Sequence, residues 1–172
     1  MRQFILLAIA TLAAVSVGSH PSLPSIKASQ PPDQKTDRRQ ILENYEAVRA
    51  AHFQHDAAAF LAGNDANWLQ VSDGTIVVHT IAEEKPRVQK YFDSVKFSEI
   101  TDLDPPRVEV SSDGTMAWFL GHVRVRGTQR NEKGVDAPLA FDAAWINVLQ
   151  KKDGVWRVVA RANTEKDTAV SH

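Results

Sequence analysis

The chain contains no cysteine, so disulfide staples and thiolate metal sites are excluded and stability must come from a hydrophobic core. It also lacks an excess of either charge: 20 Lys and Arg stand against 21 Asp and Glu, a formal net charge of −1. No basic field exists to hold nucleic acid or anionic lipid. The sequence has no HExxH, GxSxG, P-loop or dinucleotide fingerprint, which leaves metalloprotease, serine hydrolase, nucleotide hydrolase and Rossmann readings without anchor residues. The histidines are scattered. His52 and His55 share a helix face, but no carboxylate at matching spacing completes a metal set, and neither metal nor cofactor is expected.

What is present begins with a basic residue, Arg2, and an apolar run from Phe4 to Val17. The run is too short and too weakly flanked to span a bilayer, and Ser16 and Gly18 are the small residues that signal peptidases accept. Residues 1–18 therefore read as a cleaved secretory signal. With no cysteine after the run, a lipid anchor is excluded, and the mature protein is expected to be periplasmic or secreted with no membrane attachment. Residues 19–37, rich in proline, serine and charge, read as a flexible linker. Residues 38–166 read as one domain and 167–172 as a tail.

Within that domain, Ile41, Tyr45, Val48, His52 and His55 recur at helical spacing, with Thr36 or Asp37 as the cap. A short helix over residues 56–62 follows, capped by Asp56 and stopped by Gly63. Strands are predicted at 68–72 and 75–80, around Asp73-Gly74. The next helix has Pro86 in its first turn and Val88, Tyr91, Phe92 and Val95 on one face. Residues 97–103 read as an edge strand, and 107–111 and 115–126 as a hairpin around Asp113-Gly114 that pairs Val110 with Ala117 and Val108 with Phe119. Residues 127–138 read as a polar excursion.

The segment from Phe141 to Thr164 encodes two long strands around Asp153-Gly154, a dipeptide suited to a two-residue type I′ turn. Uninterrupted alternation from that turn places Trp145, Asn147, Leu149, Val158, Ala160 and Ala162 on one face, taken as the concave one. Arg161 falls on the other, and Arg157 with it is assigned to a surface or interface ion pair. In the preceding strand Met116, Trp118, Leu120, His122 and Arg124 are assigned to the concave face. Ala117, Phe119, Gly121, Val123 and Val125 are assigned to the outer one. The predicted architecture is α+β, with helices packed on one side of a curved antiparallel sheet. An outer face carrying Phe119, Val123, Ile146 and Val148 then has no helix to cover it, and a homodimer through that face is expected.

The chain resembles the nuclear transport factor 2-like superfamily, in particular its SnoaL-like and kinase-association-domain-like branch. The likeness is carried by the first helix ending in His55-Asp56, VSDG at Val71 to Gly74, SSDGTMAWF at Ser111 to Phe119, and AWINVLQKKDGVWRVVARANT at Ala144 to Thr164. It implies a cone-shaped, cystatin-like α+β fold with N-terminal helices, a deep pocket between sheet and helices, and frequent homodimers. It implies no single function, since isomerases, dehydratases, hydrolases, adaptors and catalytically silent domains share the fold. In the kinase association domain the position matching Asn147 is a pocket arginine. This chain departs there, and it carries Ala160 and Ala162 where the resemblance would place pocket histidines.

Pocket candidates are therefore Tyr45, His52, Trp68, Trp118, His122, Trp145 and Asn147. Aromatic walls with one amide suit a small apolar ligand with a polar handle, although the tryptophans read equally well as core. His122 is the single catalytic candidate, as a proton shuttle with Glu109 as a nearby carboxylate. The other reading makes it a rim histidine and Glu109 a solvated charge. Three functions remain open: an exported small-molecule-binding or accessory domain, an acid/base enzyme of the isomerase, dehydratase or hydrolase type, and a silent dimeric interaction module.

Overall fold

A computed structural model describes residues 33–168. The expected signal, 1–18, most of the linker and the end of the tail lie outside the described residues. Helix α1, Gln34–Gln54, begins earlier than its apolar periodicity suggests, because Asp33 caps it by accepting the Thr36 N–H at 3.2 Å. Asp37 has another task. Only 1 % exposed, it accepts Lys151 Nζ at 2.6 Å and Trp156 Nε1 at 3.0 Å, pinning the first turn of α1 to the last hairpin of the sheet. The helix ends at His55, whose φ of 55° gives the left-handed C-cap.

Asp56 then caps α2, Ala57–Leu61, through the Ala58 and Ala59 N–H groups. Gly63 is not the left-handed stop that the sequence suggests. It is a matter of space, since a Cβ there would lie 2.5 Å from Asn44 Nδ2. The strand that follows, β1 (Asn64–Ser72), is longer than expected and turns at Asp73-Gly74, φ 49° and 74°, into β2 (Thr75–Thr80). Thr80 caps α3, Ile81–Ser94, in a reciprocal box with Glu83. Phe92 is its fully buried residue.

The remaining strands are β3 (Val95–Asp102), β4 (Arg107–Val110), β5 (Met116–Arg130), β6 (Asp136–Lys152) and β7 (Val155–Asp167). They form a mixed sheet in the order β2-β1-β7-β6-β5-β3, with β4 also on β5. β1 runs parallel to β7 and every other pairing is antiparallel. As expected, β3 is an edge, and Val110 and Val108 pair with Ala117 and Phe119. The segment 127–138 is no excursion: β5 and β6 stay paired from Met116↔Gln150 to Arg130↔Asp136, and only 131–135 turn.

That continuous ladder reverses the face assignment of β5. Phe119 pairs with Asn147 and Gly121 with Trp145, so Ala117, Phe119, Gly121, Val123 and Val125 face inward and are buried. Trp118, Leu120 and His122 point to the outer face. The β6–β7 hairpin begins as expected, with Lys152 opposite Val155 and both turn residues at positive φ, 50° and 79°. A β-bulge then intervenes between Leu149↔Val158 and Val148↔Ala160, leaving Val159 without a partner. Past the bulge, Ala160 and Ala162 face outward, and Arg161 and Asn163 take the inner positions opposite Asn147 and Trp145.

The core clusters Ile41 and Tyr45 of α1 with Val108, Val110, Ala117, Phe119, Leu149, Trp156 and Val158 of the sheet. The opposite sheet face remains exposed. It carries Leu69, Ile76, Val78, Trp118, Leu120 and Ile146, each between 37 % and 72 % accessible.

Candidate functional site

Between α1 and the inner sheet face lies a cavity of about 380 Å³. Its walls are mainly apolar, from Ile41 on α1, Phe97 and Ile100 on β3, Phe119 and Val123 on β5, and Trp145 on β6. Burying these side chains against one another without filling the space leaves room for a small molecule. The Trp145 ring lies 6.2 Å from that of Tyr45 and 6.1 Å from that of Phe119, so the three form one aromatic wall.

Two polar clusters interrupt this lining. In the first, Tyr45 donates its hydroxyl to Asp102 in a short hydrogen bond, and Arg49 reaches the other Asp102 oxygen at 3.3 Å. Burial, and then the adjacent Asp102 carboxylate, hold the Tyr45 phenol well above its ordinary pKa. Its proton is committed to Asp102. His52, a turn further along α1, bonds Val48 O through Nδ1 at 2.8 Å and packs edge-on against Phe60 and Phe97. Burial lowers its pKa, the Val48 hydrogen bond opposes that shift, and the Arg161 charge adds to it, so the neutral ring is favoured relative to a solvated histidine. Tyr91, on the same side, is pushed up to about 12 by burial and by Glu165.

The second cluster surrounds Arg161. Its Nε donates to Asn147 Oδ1 at 2.9 Å and one terminal nitrogen donates to Asn64 Oδ1 at 3.4 Å. Gln70 and Asn163, also lining the cavity, are bonded to each other beside it. Burial alone lowers the Arg161 pKa to about 10.

The structure thus brings Tyr45, His52, Trp145 and Asn147 together at the cavity and separates the other candidates from it. Trp118 is 37 % exposed on the outer face. His122 shares that face, its Nδ1 2.6 Å from Asp104, and neither group reaches the cavity. Glu109 is held by Arg38 at 2.6 Å. Trp68 is buried but stacks on His79, away from the lining. Arg157 donates to the Ala62 carbonyl, and its charge also acts on Asp65.

Sequence reasoning missed Arg161, Asn64, Gln70 and Asn163. The signal for Arg161 lay in its neighbour: a polar Asn147 on an otherwise apolar inner strand face needs a hydrogen-bonding partner across the ladder.

No family model matches the sequence, and no curated protein matches it either. Solved structures do. A ketosteroid isomerase-like protein from Erwinia carotovora atroseptica is similar with a TM-score of 0.57 and 16% identity, over 75% of this chain and 95% of that one. An NTF2-like protein from Cytophaga hutchinsonii gives 0.57 and 16% over 74% and 96%. The chain has the nuclear transport factor 2-like fold. The association domain of C. elegans CaMKII is similar as well, at 0.53 and 16% identity over 76% of this chain and 97% of that one. At such identities the nuclear transport factor 2-like likeness concerns architecture, and chemistry has to be read from the cavity itself.

Proposed function

We propose that this domain binds a small, largely apolar molecule in the cavity between α1 and the sheet. One observation carries the reading: the cavity is walled by aromatic and aliphatic side chains, and its histidine, His52, is tied to a backbone carbonyl, with no carboxylate partner among the described residues. An acid/base enzyme needs a proton-transfer pair facing its substrate. Here the histidine–carboxylate pairs, His122 with Asp104 and His79 with Glu84, stand away from the cavity lining. The likeness to a ketosteroid isomerase-like protein therefore lends this chain less support for an isomerase role than the cavity lends to a binding role.

Two further parts of the proposal concern where and how the domain works. The Phe4 to Val17 run supports export by a cleaved signal, to the periplasm or the exterior. The exposed apolar outer face supports a homodimer through the sheet, and the presence of association domains among the similar structures is consistent with self-association.

Native mass spectrometry of the protein purified from its own host tests the binding role. The expected spectrum shows a mass excess of a few hundred daltons or less that disappears on denaturation. A bare polypeptide mass under gentle conditions, together with no binding of any apolar compound by the refolded protein, would count against it.

A further inference from the structure

We infer that the ligand carries a carboxylate, received between Arg161 on β7 and Asn64 on β1. The inference rests on the binding role proposed above and specifies the chemistry of the head group.

Arg161 lines the cavity, and among the described residues it forms no ion pair. Both of its protein partners are neutral amide oxygens, Asn147 Oδ1 and Asn64 Oδ1. An arginine partly withdrawn from water, as Arg161 is, is ordinarily matched by a carboxylate, because two neutral acceptors compensate lost hydration only in part. Glu165, two inward positions further along β7, lines the same cavity without pairing to it, and no carboxylate raises the Arg161 pKa against burial. Among the described residues the positive charge is thus held in place with no carboxylate paired to it.

Asn64 supplies the second half of the receptor. It is 6 % exposed, and because its Oδ1 is taken by Arg161, its amide nitrogen is the end left over; that Nδ2 is buried with no acceptor. A buried donor without a partner costs about 1–3 kcal/mol. Here it lies beside a guanidinium that also has unused N–H groups. Neighbouring donors without an acceptor are satisfied by an anion with two oxygens, one for the planar guanidinium fork and one for the amide. The apolar body then lies along Phe119, Val123 and Trp145.

The selectivity follows from a bidentate geometry that a neutral isostere does not satisfy, since an amide presents one acceptor and adds donors of its own. The test is isothermal titration of the full-length protein with 4-phenylbutyrate and with 4-phenylbutanamide, which differ only at the head group. The acid is expected to bind roughly ten- to a hundredfold more tightly, in line with a charge-assisted hydrogen-bonded pair. Arg161→Gln should abolish the preference, and Arg161→Lys should keep part of it. Equal affinities on the unmodified protein, a comparison that requires no variant to fold, would overturn the carboxylate assignment and leave the binding role standing. So would a preference that survives in Arg161→Gln. If neither compound binds, the carboxylate assignment is overturned, while the binding role is decided by the native mass spectrum.

Discussion

The indole of Trp145 occupies the space above Gly121, its partner across the β5–β6 ladder: a Cβ at Gly121 would sit 2.4 Å from Cζ2 of the ring. Glycine in a strand interior weakens the strand, and here it admits an aromatic wall that a larger residue would expel. Replacing Gly121 by Ala should therefore displace the ring and cost about 1–3 kcal/mol, as overpacking does. The checks are the thermal midpoint and the tryptophan emission maximum. An unchanged midpoint together with unchanged emission would mean that the ring is free to move aside.

The β6–β7 turn needs positive φ at both Asp153 and Gly154. No atom lies near the site of a Cβ at Gly154, so substitution there reports backbone strain alone. Gly154→Val is expected to lower stability by about 1 kcal/mol or more, measured by urea unfolding, because a β-branched residue is poorly accommodated in the left-handed region. A neutral result would imply that the turn rearranges.

His52 sets a pH dependence whose sign is fixed by burial. Its folded pKa lies below the unfolded value near 6.5, so the unfolded chain binds the extra proton. Stability is full above about pH 6.5 and is lost as pH falls through the folded value. Thermal midpoints recorded from about pH 7.5 to 5 should decline on acidification, and the decline should be shallower in His52→Gln. Identical pH profiles for the two proteins would show that His52 is protonated without penalty.

The outer sheet face yields a prediction on assembly. Ile146, 40 % exposed among Leu69, Trp118 and Leu120, is expected to lie within a homodimer interface. Ile146→Lys should release monomers in light scattering while the far-ultraviolet spectrum stays the same, since a lysine is well hydrated on an uncovered face. Monomers of the unmodified protein at micromolar concentration would remove the dimer from the proposal.

The legibility of these elements in the sequence varied for physical reasons. The turns at Asp73-Gly74 and Asp153-Gly154, the cap at Asp56, and the pairing of β4 with β5 depend on neighbours close in sequence, and the local pattern specified them. The β5 faces depended on the length of the β5–β6 hairpin. Once 127–138 was read as an excursion, nothing local fixed the phase of Trp118 and His122 against Trp145. Gly121 held the missing clue, since a strand glycine marks a close approach and a bulky partner stood across from it. The bulge at Val159 was less accessible. The run VVAR alternates acceptably in either phase, so the one-residue shift that carries Arg161 inward is decided by packing on both faces of the finished sheet.

Asn64 and Arg161 are 97 residues apart in the chain, and they meet only through the parallel pairing of β1 with β7. Such a contact closes a long loop, and the entropy of that closure makes it expected to form after the sequential hairpins. During synthesis the receptor for the acid head group therefore does not exist until the last strand has emerged and docked. A ligand held there bridges the two ends of the folding sequence and stabilises the completed state by mass action. Bound molecule and final strand would then protect each other, and amide exchange in β1 and β7 should slow together when the cavity is occupied.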